Sequence, residues 1–533
     1  MKRILLIALV ILFAASMQAK VTLPPVIGDN MVLQQQISAA IFGKAEPGKK
    51  VSVKTSWNRK TVSTVADAKT GKWLVRVQTP TAGGPYEITI SDGDKTVLHD
   101  VMIGEVWFAS GQSNMEMPVK GYSSQPAKDG TKFIVGAKPS RPIRICNIER
   151  RSCVTVQDSC AGSWQKHTPG VVAKTSATAY FFADALQNAL DIPVGIIVSS
   201  WGGSSIETWI KREVFEKEYP HIDLGHLYGR RPVRIMHQDP CLLYNGQVAP
   251  LIPFTFKGII WYQGETNRGR ADEYVALQRS YVKMMREDFQ VSDASFYCVQ
   301  IAPYPYNNPR KTRSGYFCEA QQKSVEGMEH AGYVTTVDIG EYGTIHPCRK
   351  QEVGQRLAWL ALQQDYGMDA IEAVAPKYKG VVFRDGKGFI EMAVGSGGLS
   401  PMGADIPGFE IAGPDHRFVH AQAKRDSKNK RVVVVWNDDV PEPIAVRYCW
   451  RNWTVGGLYN NFGIPAGPFR TDDWPISPAD WGEYKSVKYE TICNPPFEFP
   501  AGPGAAGTDC CYTRCPYRSH QAHERREQRP AHQ

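Results

Sequence analysis

At 533 residues the chain exceeds the roughly 250 to 300 residues at which a single hydrophobic core stops growing, so two or three domains are expected. Hydrophobic residues at 42%, charged residues at 22% and 13 tryptophans exclude a disordered chain and supply ample core material. The net charge of +9 arises from Lys and Arg scattered along the chain and not gathered in a stripe, which argues against a nucleic-acid partner.

The chain opens on basic residues within 1–3, an apolar run over 4–15, and small and polar residues approaching Ala19. This is the layout of a secretory signal over 1–19, although Met17 stands where a small residue is preferred before a cut after Ala19. The run is shorter than the about 20 apolar residues that span a membrane, and no later stretch qualifies. A secreted or periplasmic protein with no membrane span is expected. The 12 cysteines, clustered at Cys146, Cys153 and Cys160 and at Cys510, Cys511 and Cys515, permit disulfides in an exported chain, but spacing does not give their connectivity. They form no zinc signature with the histidines. Neither a metal nor an organic cofactor is expected.

Over 20–98, short alternating runs such as 50–55, 73–77 and 86–90 are separated by turn signals at Pro47-Gly48, Gly83-Gly84 and Asp92-Gly93, which predicts a small β-sandwich. Over 99–370, apolar strand-like runs at 103–110, 193–200 and 256–262 are interleaved with amphipathic helices at 173–190, 271–289 and 349–364. That alternation predicts an α/β domain with a mainly parallel sheet, whose ligands sit beyond the carboxyl ends of the strands. Strand patterns return over 371–493, for example at 380–383, 389–393, 431–436 and 445–450, as a β-rich insertion or appended layer. The tail, 494–533, has no periodic apolar face and is rich in Gly, Pro, Arg and His, a composition expected to stay disordered.

Three loops follow three of the predicted strands and bring polar residues to one sheet edge. In Gly111-Gln112-Ser113-Asn114-Met115-Glu116 a glycine allows a tight turn and a serine follows beside a free backbone amide, as a nucleophile needs; a helix N-cap is the alternative role for that serine. In Trp201-Gly202-Gly203 paired glycines let backbone N–H groups approach a developing oxyanion, or simply form a flexible turn. In Trp261-Tyr262-Gln263-Gly264-Glu265-Thr266-Asn267 neutral amides suit an oxyanion hole, or cap the helix that begins near 271. A base is then needed, and His346 stands out among 12 histidines because Thr344-Ile345-His346-Pro347 precedes a periodic helix; proline fits an early helical turn while the imidazole points back over the sheet edge. A structural histidine has the same appearance. Trp107, Trp201, Trp209 and Trp261 surround the loops, where they either stack on a ligand ring or pack the core.

Taken together these segments resemble the sialate O-acetylesterase family, a carbohydrate-esterase branch of the SGNH hydrolases. The resemblance runs from Val21 to Asp480 and includes Asp29-Asn30-Met31-Val32-Leu33-Gln34-Gln35, the three loops, Ile345-His346-Pro347, Lys350-Gln351 and Pro468-Phe469-Arg470-Thr471-Asp472-Asp473-Trp474. It implies an SGNH-like three-layer α/β domain acting on O-acetylated sugars, with Ser113 as nucleophile and His346 as base. The implied oxyanion donors are the Ser113 amide, the amide of Gly203 or Gly202, and the Gln263 side chain, with Asn114 and Glu265 supporting the loops. Many SGNH enzymes carry Asp three residues before the histidine, where this chain has Gly343. Either the Gly343 carbonyl orients the imidazole in a dyad, which is the preferred expectation, or Asp338 or Glu341 completes a triad. Another glycan ester such as acetylated xylan is the alternative substrate, and a noncatalytic carbohydrate-binding protein the alternative of a different kind.

Overall fold

The computed structural model describes residues 21–475 and 511–512. The expected signal segment lies outside these residues; of the expected tail only 511–512 lies within them, as a short strand paired with Ser152–Cys153. Among the described residues no helix is long and apolar enough to cross a membrane.

One strand, Lys95–Gly111 (β1), joins the N-terminal β region to the central sheet of the α/β domain. Its first part pairs antiparallel with Gly83–Ser91, and its second part lies parallel to strands of the α/β domain. The boundary anticipated between residues 98 and 99 therefore falls inside a strand. The change of pattern that suggested it is a change in burial: side chains alternate between exposed and covered at first, then are buried without interruption from Ile103 on. A strand covered on both faces loses its period-2 signature without ending.

The other strands of the central sheet are Ile143–Ile148 (β2), Gly162–Lys166 (β3), Val194–Ser200 (β4), Gly258–Tyr262 (β5), Ser295–Val299 (β6) and Ala331–Val334 (β7), in the order β3-β2-β4-β1-β5-β6-β7. All neighbours are parallel except the edge strand β3, which is antiparallel to β2. Successive residues point to opposite faces. Val106 and Phe108 enter one core with Ile259, Trp261 and Phe296, while Trp107 and Ala109 enter the other with Ile260, Tyr262 and Tyr297. Helices Ala271–Asp288 (α3) and Arg313–Val325 (α4) cover the first face, and Ala177–Leu190 (α2) and Lys350–Asp365 (α5) the second. The result is a three-layer α/β/α domain. Helix α5 approaches α2 so closely that a Cβ on Gly354 would lie 2.6 Å from the Cβ of Phe181.

The helix anticipated over 173–190 is two: a short one at Pro169–Lys174, then α2, which Ser176 starts by accepting the Ala179 N–H at 3.1 Å. This serine cap interrupts an apolar periodicity that continues across it. The C-terminal β region forms two four-stranded sheets with their own core, which includes Ile390, Phe409, Val433 and Tyr448. It docks on the α/β domain through Asn452, whose Oδ1 accepts the Ser314 N–H and an Arg268 N–H, each at 3.2 Å.

Candidate active site

The strand order reverses at β1, so its carboxyl end opens on the crevice where such sheets bind ligands. Gly111 ends the strand at φ +140° and a Cβ there would come 2.2 Å from the Tyr262 carbonyl oxygen, so only glycine fits. Gln112 donates its N–H to that carbonyl at 2.9 Å, and its Oε1 accepts the Gly264 N–H at 3.1 Å. The turn then enters the short helix Ser113–Glu116 (α1), in which Gln112 holds the cap position and Ser113 is the first helical residue. The cap role considered for Ser113 is therefore not realised, and its hydroxyl is available at the sheet edge.

The second loop packs directly on this serine: a Cβ on Gly202 would lie 3.3 Å from the Cβ of Ser113. Gly202 donates its N–H to Glu116 Oε2 at 2.9 Å, and Glu116 Oε1 accepts from Arg150 at 2.6 Å. Of the two glycines anticipated as oxyanion donors, Gly202 is thus already engaged. Gly203, at φ +75°, keeps a backbone N–H with no acceptor among the described residues. The same is true of the Ser113 N–H.

Gln263 is placed differently from the expectation. It is fully buried, its amide nitrogen donates to the Ser204 carbonyl at 3.1 Å and to Asn267 Oδ1 at 2.7 Å, and its Oε1 accepts from the Tyr274 hydroxyl at 2.8 Å. With both amide hydrogens engaged, it braces the third loop against the second, a role other than the oxyanion donor or helix cap considered for this loop. Asn114 and Glu265 do meet, Asn114 Nδ2 donating to Glu265 Oε1 at 2.6 Å.

His346 is half-buried, and its Nδ1 lies 2.8 Å from Gln125 Oε1. That oxygen also accepts from the Thr344 hydroxyl at 3.2 Å, and with the amide oxygen facing the ring the imidazole carries its proton on Nδ1 and Nε2 is the nitrogen left to accept one. The neighbouring carboxylates are occupied elsewhere. Asp338 takes both ends of the Arg356 guanidinium at 2.8 and 2.6 Å, and Glu341 Oε1 accepts the Cys348 N–H at 2.5 Å. The Nδ1 partner is thus neither Gly343, Asp338 nor Glu341 but a side chain 221 positions away in sequence. Gln125 gets there through a tight turn, in which Tyr122 and Gln125 exchange backbone hydrogen bonds at 2.9 and 3.1 Å. Tyr122, on the same turn, meets the His346 ring edge-on at 5.2 Å between centroids and donates its hydroxyl to the Ser113 carbonyl at 3.1 Å. Burial first and the Lys350 ammonium second hold the His346 imidazole down at about 4.

Trp107, Trp209 and Trp261 are fully buried core residues, and Trp201 is nearly so, stacked on His237. A cavity of about 590 Å³ adjoins α1, lined by Glu116, Arg150, Lys174 and Ser200 among others. Among the described residues no cluster of three or more His, Cys, Asp or Glu side chains is placed to hold a metal ion.

A three-layer α/β core that gathers a serine, an imidazole and open backbone amides at the carboxyl edge of its sheet has the build of an ester hydrolase. The family described as carbohydrate esterase, sialic acid-specific acetylesterase, matches residues 103–363. A solved carbohydrate acetylesterase from Xanthomonas citri is 32% identical, with a TM-score of 0.75 over 85% of this chain and 100% of that one. The sialate O-acetylesterases of Mus musculus and Homo sapiens are each 25% identical over 83% of this chain, covering 93% and 91% of their own lengths. The chain belongs to the sialate O-acetylesterase family of carbohydrate esterases, and it is a carbohydrate acetylesterase.

Proposed function

We propose that this esterase removes O-acetyl groups from sialic acids through an acetyl-serine intermediate, with Ser113 as nucleophile and His346 as general base, and that it is exported. The observation that carries the mechanism is the tight turn of Tyr122 and Gln125, which touches Ser113 and His346 together and leaves Nε2 as the open nitrogen. His346 Nε2 takes the proton from Ser113 Oγ as that oxygen bonds to the acetyl carbonyl carbon. The carbonyl oxygen becomes an oxyanion facing the N–H groups of Ser113 and Gly203. Collapse breaks the bond to the sugar oxygen, which leaves with the proton from His346. Water then attacks the acetyl-serine by the same route, and acetate is released. Loss of one such oxyanion donor typically costs about 3 to 4 kcal/mol of transition-state stabilisation.

The sialate assignment draws on the family and on Lys174, a cationic side chain lining the cavity beside α1, which suits a sugar carrying a carboxylate; Arg150 in the same lining is already paired with Glu116. A second reading, an acetylated xylan or another plant glycan, draws on the relative with the higher identity, which is described only as a carbohydrate acetylesterase. Acetate release from O-acetylated sialic acid and from acetylated xylan, with Ser113→Ala as the control, separates the two. Release chiefly from the sialic acid supports the first reading and release chiefly from xylan the second. Equal release by Ser113→Ala removes the acetyl-serine mechanism.

A further inference from the structure

We propose that Lys350 is a positioning residue for this reaction, acting through Asn114 to hold the nucleophile turn against the base loop while setting a positive charge beside His346. The proposal rests on the reading of His346 as the base.

Lys350 is the first residue of α5, yet its side chain is buried, with Nζ 2.6 Å from Asn114 Oδ1. Asn114 follows Ser113 and is wholly buried; its Nδ2 donates to Glu265 Oε1 at 2.6 Å and to the Ile345 carbonyl at 3.1 Å. Ile345 in turn precedes His346. One amide side chain thus joins the nucleophile turn, the third loop, the base loop and the helix behind them. The ammonium fixes which way that amide faces: turned over, its NH₂ would meet the ammonium and its oxygen would meet a carboxylate and a carbonyl. Lys350 Nζ also lies 5.7 Å from the centroid of Tyr262, whose carbonyl anchors Gln112. A buried ammonium is costly unless it is compensated, and here the compensating charge, Glu265, is reached through Asn114. A purely apolar residue would fill the space but leave Asn114 Oδ1 buried without its donor.

The same placement determines the field at the base. The carboxylates near the ring are engaged elsewhere: Glu341 with the Cys348 amide, Glu116 with Gly202 and Arg150, and Glu265 with Asn114. Tyr122 and Gln125, which face the imidazole from the neighbouring turn, are neutral partners. Lys350 is then the charge that opposes protonation of His346, in addition to burial. Burial draws Lys350 itself down to about 7, so it is charged across the acid range in which His346 titrates, and there it keeps the imidazole in its proton-accepting form.

The test is the pH profile of kcat/KM on a small chromogenic acetyl ester, for wild type, Lys350→Met, Lys350→Arg and the charge-free pair Lys350→Met/Glu265→Gln. The pair leaves no buried carboxylate uncompensated and keeps the test valid if the single variant does not fold. In the folded charge-free protein the acid limb is expected to move up by about half a unit to one unit as the opposing charge is lost. The kcat is expected to fall roughly 10- to 100-fold with KM little changed, as for an interaction that matters only in the transition state. Lys350→Arg should return the limb toward its wild-type position. A folded charge-free variant whose acid limb does not move, or whose kcat stays within about threefold of wild type, overturns the proposal. His346→Ala keeps the two ideas apart: if it remains active the base reading itself fails, whereas an inactive His346→Ala beside an unmoved limb overturns the role of Lys350 alone.

Discussion

The nucleophile loop and the base loop meet at one sheet edge but are held there by different means. Ser113 is fixed by backbone: Gly111 pressed on Tyr262, Gln112 bonded to the next strand and to Gly264, and Gly202 packed on the serine itself. His346 is fixed by side chains reaching it from elsewhere, Gln125 at Nδ1 and Tyr122 against the ring. On its own loop, Tyr342 is 58% exposed and a Cβ on Gly343 would meet nothing within 4 Å. Backbone locking gives the nucleophile a position set by the fold, whereas the base depends on a few replaceable contacts. Damage to the first loop should therefore remove the activity, and damage around the second should tune it.

The largest effect tests the first half of that contrast. Ser113→Ala removes the attacking oxygen without touching the backbone bonds, so esterase activity is expected to drop by about 10⁴-fold or more at unchanged thermal stability. Next comes Gln125→Ala, which frees the imidazole to rotate and to exchange tautomers; kcat/KM is expected to fall by roughly 10- to 100-fold. Gln125→Glu sharpens the comparison further. The neutral imidazole is the active form, and protonation removes the base. With His346 held at about 4, the wild-type rate should persist into acid and decline only below about pH 4. A carboxylate at position 125 stabilises the imidazolium and raises that pKa, so the acid limb of kcat/KM should move up. An unmoved limb in Gln125→Glu would mean that Nδ1 does not face residue 125 during turnover.

The same contrast governs what was legible in the sequence. Strand, glycine and serine lie within a few residues of each other at 111–113, so the turn announces itself through local sterics. The parallel sheet follows from apolar runs alternating with helices, and all three predicted loops do arrive at one edge. That the boundary placed at 98/99 falls inside the continuous strand β1 is not legible in the sequence, because burial on both faces erases alternation from residue 103. Gln263 looked like an oxyanion donor because its residue type and loop were right; what its hydrogens bond to depends on Ser204 and Asn267, and only tertiary structure supplies that. Gln125 carried no signal at all, since a glutamine in a polar turn is unremarkable until the turn is folded against a histidine. Lys350 did leave a trace, a basic residue in the first turn of a helix, where the dipole disfavours it.

The smallest expected effect lies at the exposed rim. Tyr342, four residues before His346, packs edge-on against Trp453 of the C-terminal β region at 5.3 Å between centroids. The four tryptophans first considered as sugar platforms are buried, so this pair is the exposed aromatic surface on the base loop. A sugar ring extending from the scissile acetyl over that loop would meet the open face of Tyr342. Aromatic contacts of this kind contribute about 0.5 to 1.5 kcal/mol, a roughly 2- to 10-fold effect. Tyr342→Ala is accordingly expected to raise KM for an acetylated oligosaccharide by that factor, leaving kcat and the hydrolysis of a small chromogenic acetyl ester unchanged. An equal loss on both substrates would show instead that Tyr342 braces the His346 loop, making this loop as dependent on packing as the nucleophile turn is on backbone.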